Sequence, residues 1–295
     1  MSAPRPAPTN SQELYQYLLP TVVRVNSFDD TGKPMGHGSG FIASADGRIL
    51  TNHHVIKNAA SVVVLGDRGM EYQVEGLLGT DPVRDLAVLK VQGQNLPFLS
   101  LEATRPPVGS KVFALGNPRG LNFTFSDGMV SGNRKIRQMP TIQTTAPVSA
   151  GSSGGPLVNG LGRVVGVVVA GIPDGQNLNF AVVASAAQEL LQSTGRLRPF
   201  ANPAAGREAT ETFTSVLQQM LKEDPERARQ LLIRLETRLS SAPQYWLLRA
   251  RTEIATKREA DAKSSLEKVL ALDSDEREAA TAKLLLALLA RGSGQ

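Results

Sequence analysis

The sequence predicts a multi-domain chain, an all-β barrel domain followed by an all-α helical-repeat domain, on three observations. From Pro20 to Val183 short apolar runs alternate with Gly, Pro, Asn and Asp, the pattern of many short strands joined by turns in barrels or a sandwich. A stretch rich in Pro, Gly and Ala, residues 195–207, then interrupts the pattern. Beyond it the composition shifts to Ala, Leu, Glu, Arg and Lys at helical spacing, with no clear β run. The boundaries that follow are a leader and short helix over 1–19, a β domain over 20–194, a linker over 195–207 and a helical domain over 208–295.

The start, residues 1–8, lacks the apolar core of a signal peptide and reads as a Pro/Ala leader. Residues 11–18 suit a short helix capped by Ser11, with Leu14, Tyr15 and Leu18 on one face. Strands are expected over 22–25, 40–43, 61–65, 86–91, 111–115, 164–169 and 180–183. Residues 97–109, with Pro97, Pro106 and Pro107, suit a connector between two halves. A helix over 184–194 is expected to stop at Gly195.

In the tail, Ala228 and Ala262, Leu232 and Leu266, and Leu235 and Val269 recur 34 residues apart, as do Phe213 and Leu247, Val216 and Ala250, and Met220 and Ile254. Thirty-four residues is the tetratricopeptide period. Trp246, Ala262, Leu266 and Leu270-Ala271-Leu272-Asp273 resemble one such repeat, whereas Arg249 and Glu253 stand where apolar or aromatic residues are usual. The reading is two divergent repeats and a final helix over 275–290, with a plain helical bundle as the alternative.

A hydrophobic content of 41 % over 295 residues allows a sizeable core. The chain has no cysteine, which excludes disulfides and thiolate metal sites. His37, His53 and His54 make no H-x-x-x-H pattern, so no zinc site and no cofactor is expected. The net charge of +5 is scattered, and its densest cluster, Arg134-Lys135-Ile136-Arg137, has no interleaved aromatics; nucleic acid is not an expected partner. No run of 18 apolar residues exists, so no membrane span is expected.

Three motifs carry chemistry. Gly151-Ser152-Ser153-Gly154-Gly155-Pro156 places a serine in a glycine-rich turn, where a hydroxyl can be presented beside converging backbone N–H groups. Upstream lie Thr51-Asn52-His53-His54-Val55 and Arg84-Asp85-Leu86-Ala87-Val88-Leu89. Serine is a weak nucleophile that needs a base, and the base needs an orienting acid. Each motif alone has a plain reading as a loop, a strand end or an element boundary. Their conjunction, with Asp85 coming 31 residues after His54 and Ser153 coming 68 after Asp85, points to a Ser-His-Asp triad. His54 is taken as base over His53 by the T-x-x-H spacing, and Ser153 as nucleophile over Ser152 by G-x-S-G-G. The N–H groups of Gly151 and Ser153 would form the oxyanion hole, and His37 reads as a strand-entry residue.

Those motifs, with Gly38-Ser39-Gly40-Phe41-Ile42, Gly116-Asn117-Pro118-Arg119-Gly120, Gly128-Met129-Val130-Ser131 and Asn177-Leu178-Asn179-Phe180-Ala181, resemble HtrA/Deg-type serine proteases over about residues 12–193. The resemblance implies a chymotrypsin-like fold of two perpendicular six-stranded β-barrels with the triad between them. It implies an ATP-independent serine endopeptidase acting on unfolded or damaged proteins, in a periplasmic or other extracytoplasmic setting with the signal absent from this chain. It puts substrate pairing at Val169, Ala170 and Gly171, where an extended peptide adds as a strand. Regulatory loops would fall at about 117–127, 133–140, 145–152 and 171–177.

Ser152 stands where digestive relatives carry an Asp, so activation by zymogen cleavage is not expected. Pro147 stands where trypsin has its pocket Asp, which points to small or medium aliphatic side chains before the scissile bond. Family members are often trimers built through N-terminal aromatics; Tyr15 and Tyr17 suit that role or ordinary helix packing equally. The tail shows no PDZ-like β pattern. Its expected partner is a peptide or protein segment, and the competing reading of the whole chain is a binding or adaptor protein with little proteolysis.

Overall fold

A computed structural model describes residues 6–67, 70–116, 124–136, 139–148, 151–169, 179–203, 224–240, 243–272, 274 and 276–292. Its backbone divides into two units, residues 1–28 with 35–203, and residues 29–34 with 204–295.

The first unit opens with helix α1, Ser11–Leu18. Its cap is Asn10, not Ser11: the Asn10 backbone is extended and its side-chain oxygen accepts the Glu13 N–H at 2.9 Å. The Glu13 carboxylate reaches back to the Thr9 N–H at 2.9 Å, so the two ends of the first turn satisfy one another. Leu14 and Leu18, one turn apart, are buried.

Seven strands form the first lobe: β1 (Val22–Phe28), β2 (Pro34–Ile42), β3 (Arg48–Thr51), β4 (Ser61–Leu65), β5 (Glu71–Tyr72), β6 (Val74–Asp81) and β7 (Leu86–Val91). Their order is β5-β4-β1-β2-β3-β7-β6; β4 pairs antiparallel with β1 and β5, β3 with β2 and β7, and β6 with β7. The first lobe thus has seven strands rather than six, because the two-residue β5 adds at the edge beside β4. Its interior is filled by Val23, Val25, Ile42, Ile49, Ala87 and Leu89 among others, the inward positions of alternating strands.

The second lobe is a closed six-stranded barrel. It comprises β8 (Lys111–Gly116), β9 (Thr124–Ile136), β10 (Met139–Thr144), β11 (Pro156–Val158), β12 (Val164–Val169) and β13 (Asn179–Val183). Closure in the order β10-β13-β12-β11-β8-β9 leaves no free edge. Leu14 and Leu18 of α1 belong to the same apolar cluster as the interior of this barrel, so the short helix is held by burial rather than propensity. Helix α3 (Ala184–Gln192) follows, after the one-turn helix α2 (His53–Ile56) of the first lobe. The α3 helix ends at Ser193, whose N–H donates to Glu189 O at 3.0 Å; Gly195 instead donates its N–H to Leu78 O at 3.1 Å.

The second unit contains α4 (Pro225–Leu239), α5 (Pro243–Ala255), α6 (Glu259–Ala271) and α7 (Glu276–Gly292). Ala228, Leu232, Tyr245, Trp246, Leu266 and Val269 pack into one core. Ala228 and Ala262, 34 residues apart, are both fully buried, as are Leu232 and Leu266. Phe213, Val216 and Met220 lie outside the described residues.

Arg249 and Glu253 answer one another: Arg249 Nε donates to Glu253 at 2.9 Å and its other arm pairs with Glu236. The buried Glu253 also accepts from Ser265 Oγ at 2.7 Å. Burial pulls the Arg249 guanidinium down, but its hydrogen bonds to Glu253 and Glu236 hold it above its ordinary value.

Candidate active site

Register brings the first two motifs together. Pairing of β3 with β7 sets Thr51 opposite Ala87, so the residues just beyond each strand end, 52–54 and 85, become neighbours. Buried Val55 and Ile56 anchor α2, and His54 is left on its open side with the side chain 49 % exposed. Asp85 grips this turn through both carboxylate oxygens. Oδ1 accepts the His54 backbone N–H at 2.8 Å, and Oδ2 lies 2.6 Å from His54 Nδ1. It is His54, not His53, whose ring meets the carboxylate; His53 contributes its backbone N–H to Asp85 O at 3.2 Å.

The serine motif forms the turn that leads into β11. Gly154 N–H donates to Val168 O and Val168 N–H to Gly155 O, both at 2.8 Å, which ties the turn to β12. Gly154 must be glycine: its φ is +87°, and a Cβ there would lie 2.1 Å from Ser39 O. Gly38 is required by close approach, because an added Cβ would lie 2.6 Å from Val55 Cγ2 and 2.9 Å from Ser153 O. The turn carrying Ser153 and the histidine-bearing helix therefore both press on one backbone position of β2. Ser152 and Ser153 are nearly buried, at 8 % and 3 % exposure.

Ser39 was not singled out by chemistry in the sequence, yet it joins the lobes at this point. Its N–H donates to Ser153 O at 2.7 Å and its Oγ to Gly151 O at 2.6 Å, while Thr51 Oγ1 donates to Ser39 O at 2.7 Å. A small polar residue between two glycines was the available signal. Pro147 lines a small cavity of about 150 Å³ with Ala114, Thr124, Val148 and Ser152, and among the described residues none that lines it is charged. Val169 ends β12, paired with Phe180; Ala170 and Gly171 lie outside the described residues, as does most of the expected loop over 117–127.

Known proteins resemble the first unit. Residues 38–167 match the model of the trypsin-like peptidase domain. The chain is 39 % identical over 166 residues to a probable periplasmic serine endoprotease DegP-like of Pseudomonas putida, covering 54 % of this chain and 34 % of that protein. It thus spans about a third of that relative's length. A crystal structure of the serine endoprotease from Yersinia pestis aligns with a TM-score of 0.57 at 33 % identity, over 63 % of this chain and 66 % of that one. An HtrA-type protease solved with a tripeptide aligns with a TM-score of 0.58 at 31 % identity, over 63 % of each chain. The first unit has the trypsin-like double β-barrel fold, and its relatives are HtrA- and DegP-type serine proteases.

Proposed function

We propose that the chain is a serine endopeptidase with Ser153 as nucleophile, His54 as general base and Asp85 as its orienting acid. The observation that carries this is the 2.6 Å contact between His54 Nδ1 and Asp85 Oδ2. With the proton of a neutral ring held on Nδ1, Nε2 is left as the acceptor. In the reaction Nε2 takes the Ser153 proton as Oγ bonds to the scissile carbonyl carbon. The carbonyl oxygen becomes an oxyanion facing the N–H groups of Gly151 and Ser153. The C–N bond then breaks, the amine leaves with the proton from His54, and water repeats the sequence on the acyl-enzyme. A fluorophosphonate probe should label wild type and not Ser153→Ala, and casein cleavage should disappear in the same variant. A folded wild type that takes no label overturns the assignment.

Unfolded or damaged proteins are the proposed substrates, cleaved without ATP in extracytoplasmic quality control, on the similarity to periplasmic relatives. Among the described residues no helix is long and apolar enough to cross a membrane. Substrate would pair as a strand along Val169, Ala170 and Gly171. Pro147 in place of an acidic residue favours small or medium aliphatic side chains, which cleavage-site profiling on an unfolded protein tests. The second unit is read as divergent tetratricopeptide-like repeats that bind a peptide or protein segment, supported by the 34-residue recurrence of its buried positions. Assembly as a homotrimer is part of the same proposal, tested by light scattering.

A further inference from the structure

The Asp85 backbone is held in an unusual state. Its φ is +55°, in the left-handed region that costs non-glycine residues energy and that Asp enters with the help of local hydrogen bonds. Two donors meet at its carbonyl: the side-chain Nδ2 of Asn52 at 2.8 Å and the His53 N–H at 3.2 Å. Two more meet at its carboxylate, both from His54. Three consecutive residues, 52–54, thus grip one aspartate at both of its polar ends.

Asn52 carries a cost that calls for an explanation. The residue is fully buried, and its Oδ1 has no hydrogen-bond partner among the described residues. A buried acceptor left unmade is destabilising, and an apolar side chain of similar size would avoid it. What an apolar residue lacks is the Nδ2 donor to Asp85 O. Packing alone therefore does not account for an amide here; the donor does.

The geometry points to Asn52 as a positioning residue: its Nδ2–H holds the Asp85 carbonyl, and with it the left-handed backbone that aims the Asp85 carboxylate at His54 Nδ1. It touches neither substrate nor the reacting atoms and acts through Asp85. Rotation of the Asp85 peptide would swing the carboxylate off the ring, leaving His54 free to turn or to take the wrong tautomer. The inference rests on the reading of His54 and Asp85 as the base and its acid.

Asn52→Ala and the near-isosteric Asn52→Leu test it, with kcat, KM, melting temperature and the proton NMR signal of His54 Nδ1–H followed together. Both variants are expected to lose roughly 10- to 100-fold in kcat with KM unchanged, as for a small misplacement of a catalytic group. The Nδ1–H signal should broaden or vanish, while Asn52→Leu melts at or above the wild-type temperature because the unmet acceptor is gone. A merely structural Asn52 would instead lower kcat and melting temperature together and leave the signal of the folded fraction in place, which overturns the inference.

The wild type gives an independent measure. A scalar coupling across the bond from Asn52 Nδ2–H to the Asp85 carbonyl carbon is expected, and its absence overturns the inference whether or not the variants fold. A wild type that shows the coupling and the Nδ1–H signal but takes no fluorophosphonate would overturn the protease reading alone.

Discussion

In the proposed mechanism one proton, on His54 Nδ1, sets what the site can do, and the 2.6 Å contact with Asp85 is what would keep it there. Asp85→Asn preserves size but presents an amide to the ring. It is expected to cut kcat by about 10⁴, the loss seen when a triad histidine is left in the wrong tautomer; steady-state kinetics beside a thermal melt separate this from unfolding. A different residue-scale balance operates in the helical unit, where Glu253 is 1 % exposed and relies on Arg249. Arg249→Ala would leave that carboxylate buried without its cation, at a cost of about 3–5 kcal/mol, whereas replacing Arg249, Glu253 and Glu236 together by apolar residues should cost far less. Urea titration of both variants checks the contrast. The candidates His54, Asp85 and Ser153 could be proposed from sequence because their motifs are local and ordered. Ser39 could not, because the oxygen it serves on Gly151 is 112 residues away and becomes its neighbour only through the fold.

Among elements, the turn carrying Ser153 is tied to β2 through Ser39. Ser39→Ala would leave the buried Gly151 carbonyl without the Ser39 hydroxyl. We expect a stability loss of about 1–3 kcal/mol and a lower labelling rate at Ser153, read by denaturant melts and a fluorophosphonate time course. The turn between β6 and β7 is fixed differently. Arg84 pairs with Asp81 beside it and with Glu189 on α3. Partial burial pushes the Asp81 carboxyl up, but hydrogen bonds from Arg84 and the Val83 N–H, with the Arg84 charge, outweigh it and hold the group below its ordinary value. A lowered folded-state value means stability that is complete above the unfolded-state value, about 3.9, and lost as pH falls through the folded one. Asp81→Asn should therefore be less stable than wild type at pH 7 by about 1 kcal/mol, with the gap closing below about pH 4; melts across that range decide it.

At the scale of the whole molecule, the two units draw on separate cores. The clusters of the first unit contain residues between Leu14 and Phe200, and that of the second contains residues between Ala228 and Leu289. Residues 1–203 made as a separate chain are therefore expected to melt cooperatively and to retain Ser153 labelling, which a melt and a probe reaction would show. By itself the sequence determined seven of the thirteen described strands in their order, the change from β to α character near residue 200, and which residues make the candidate triad. Those follow from periodicity, turn residues and short motifs, all of which act over a few neighbouring positions.

Only the tertiary structure decided that the first lobe takes a seventh strand, that Ser39 bonds to Gly151, and that Asn52 bonds to Asp85. The reason is common to all of them. A hydrogen bond or ion pair between distant positions leaves no period or motif in either segment, and exists only once strand register has set the partners a few ångströms apart.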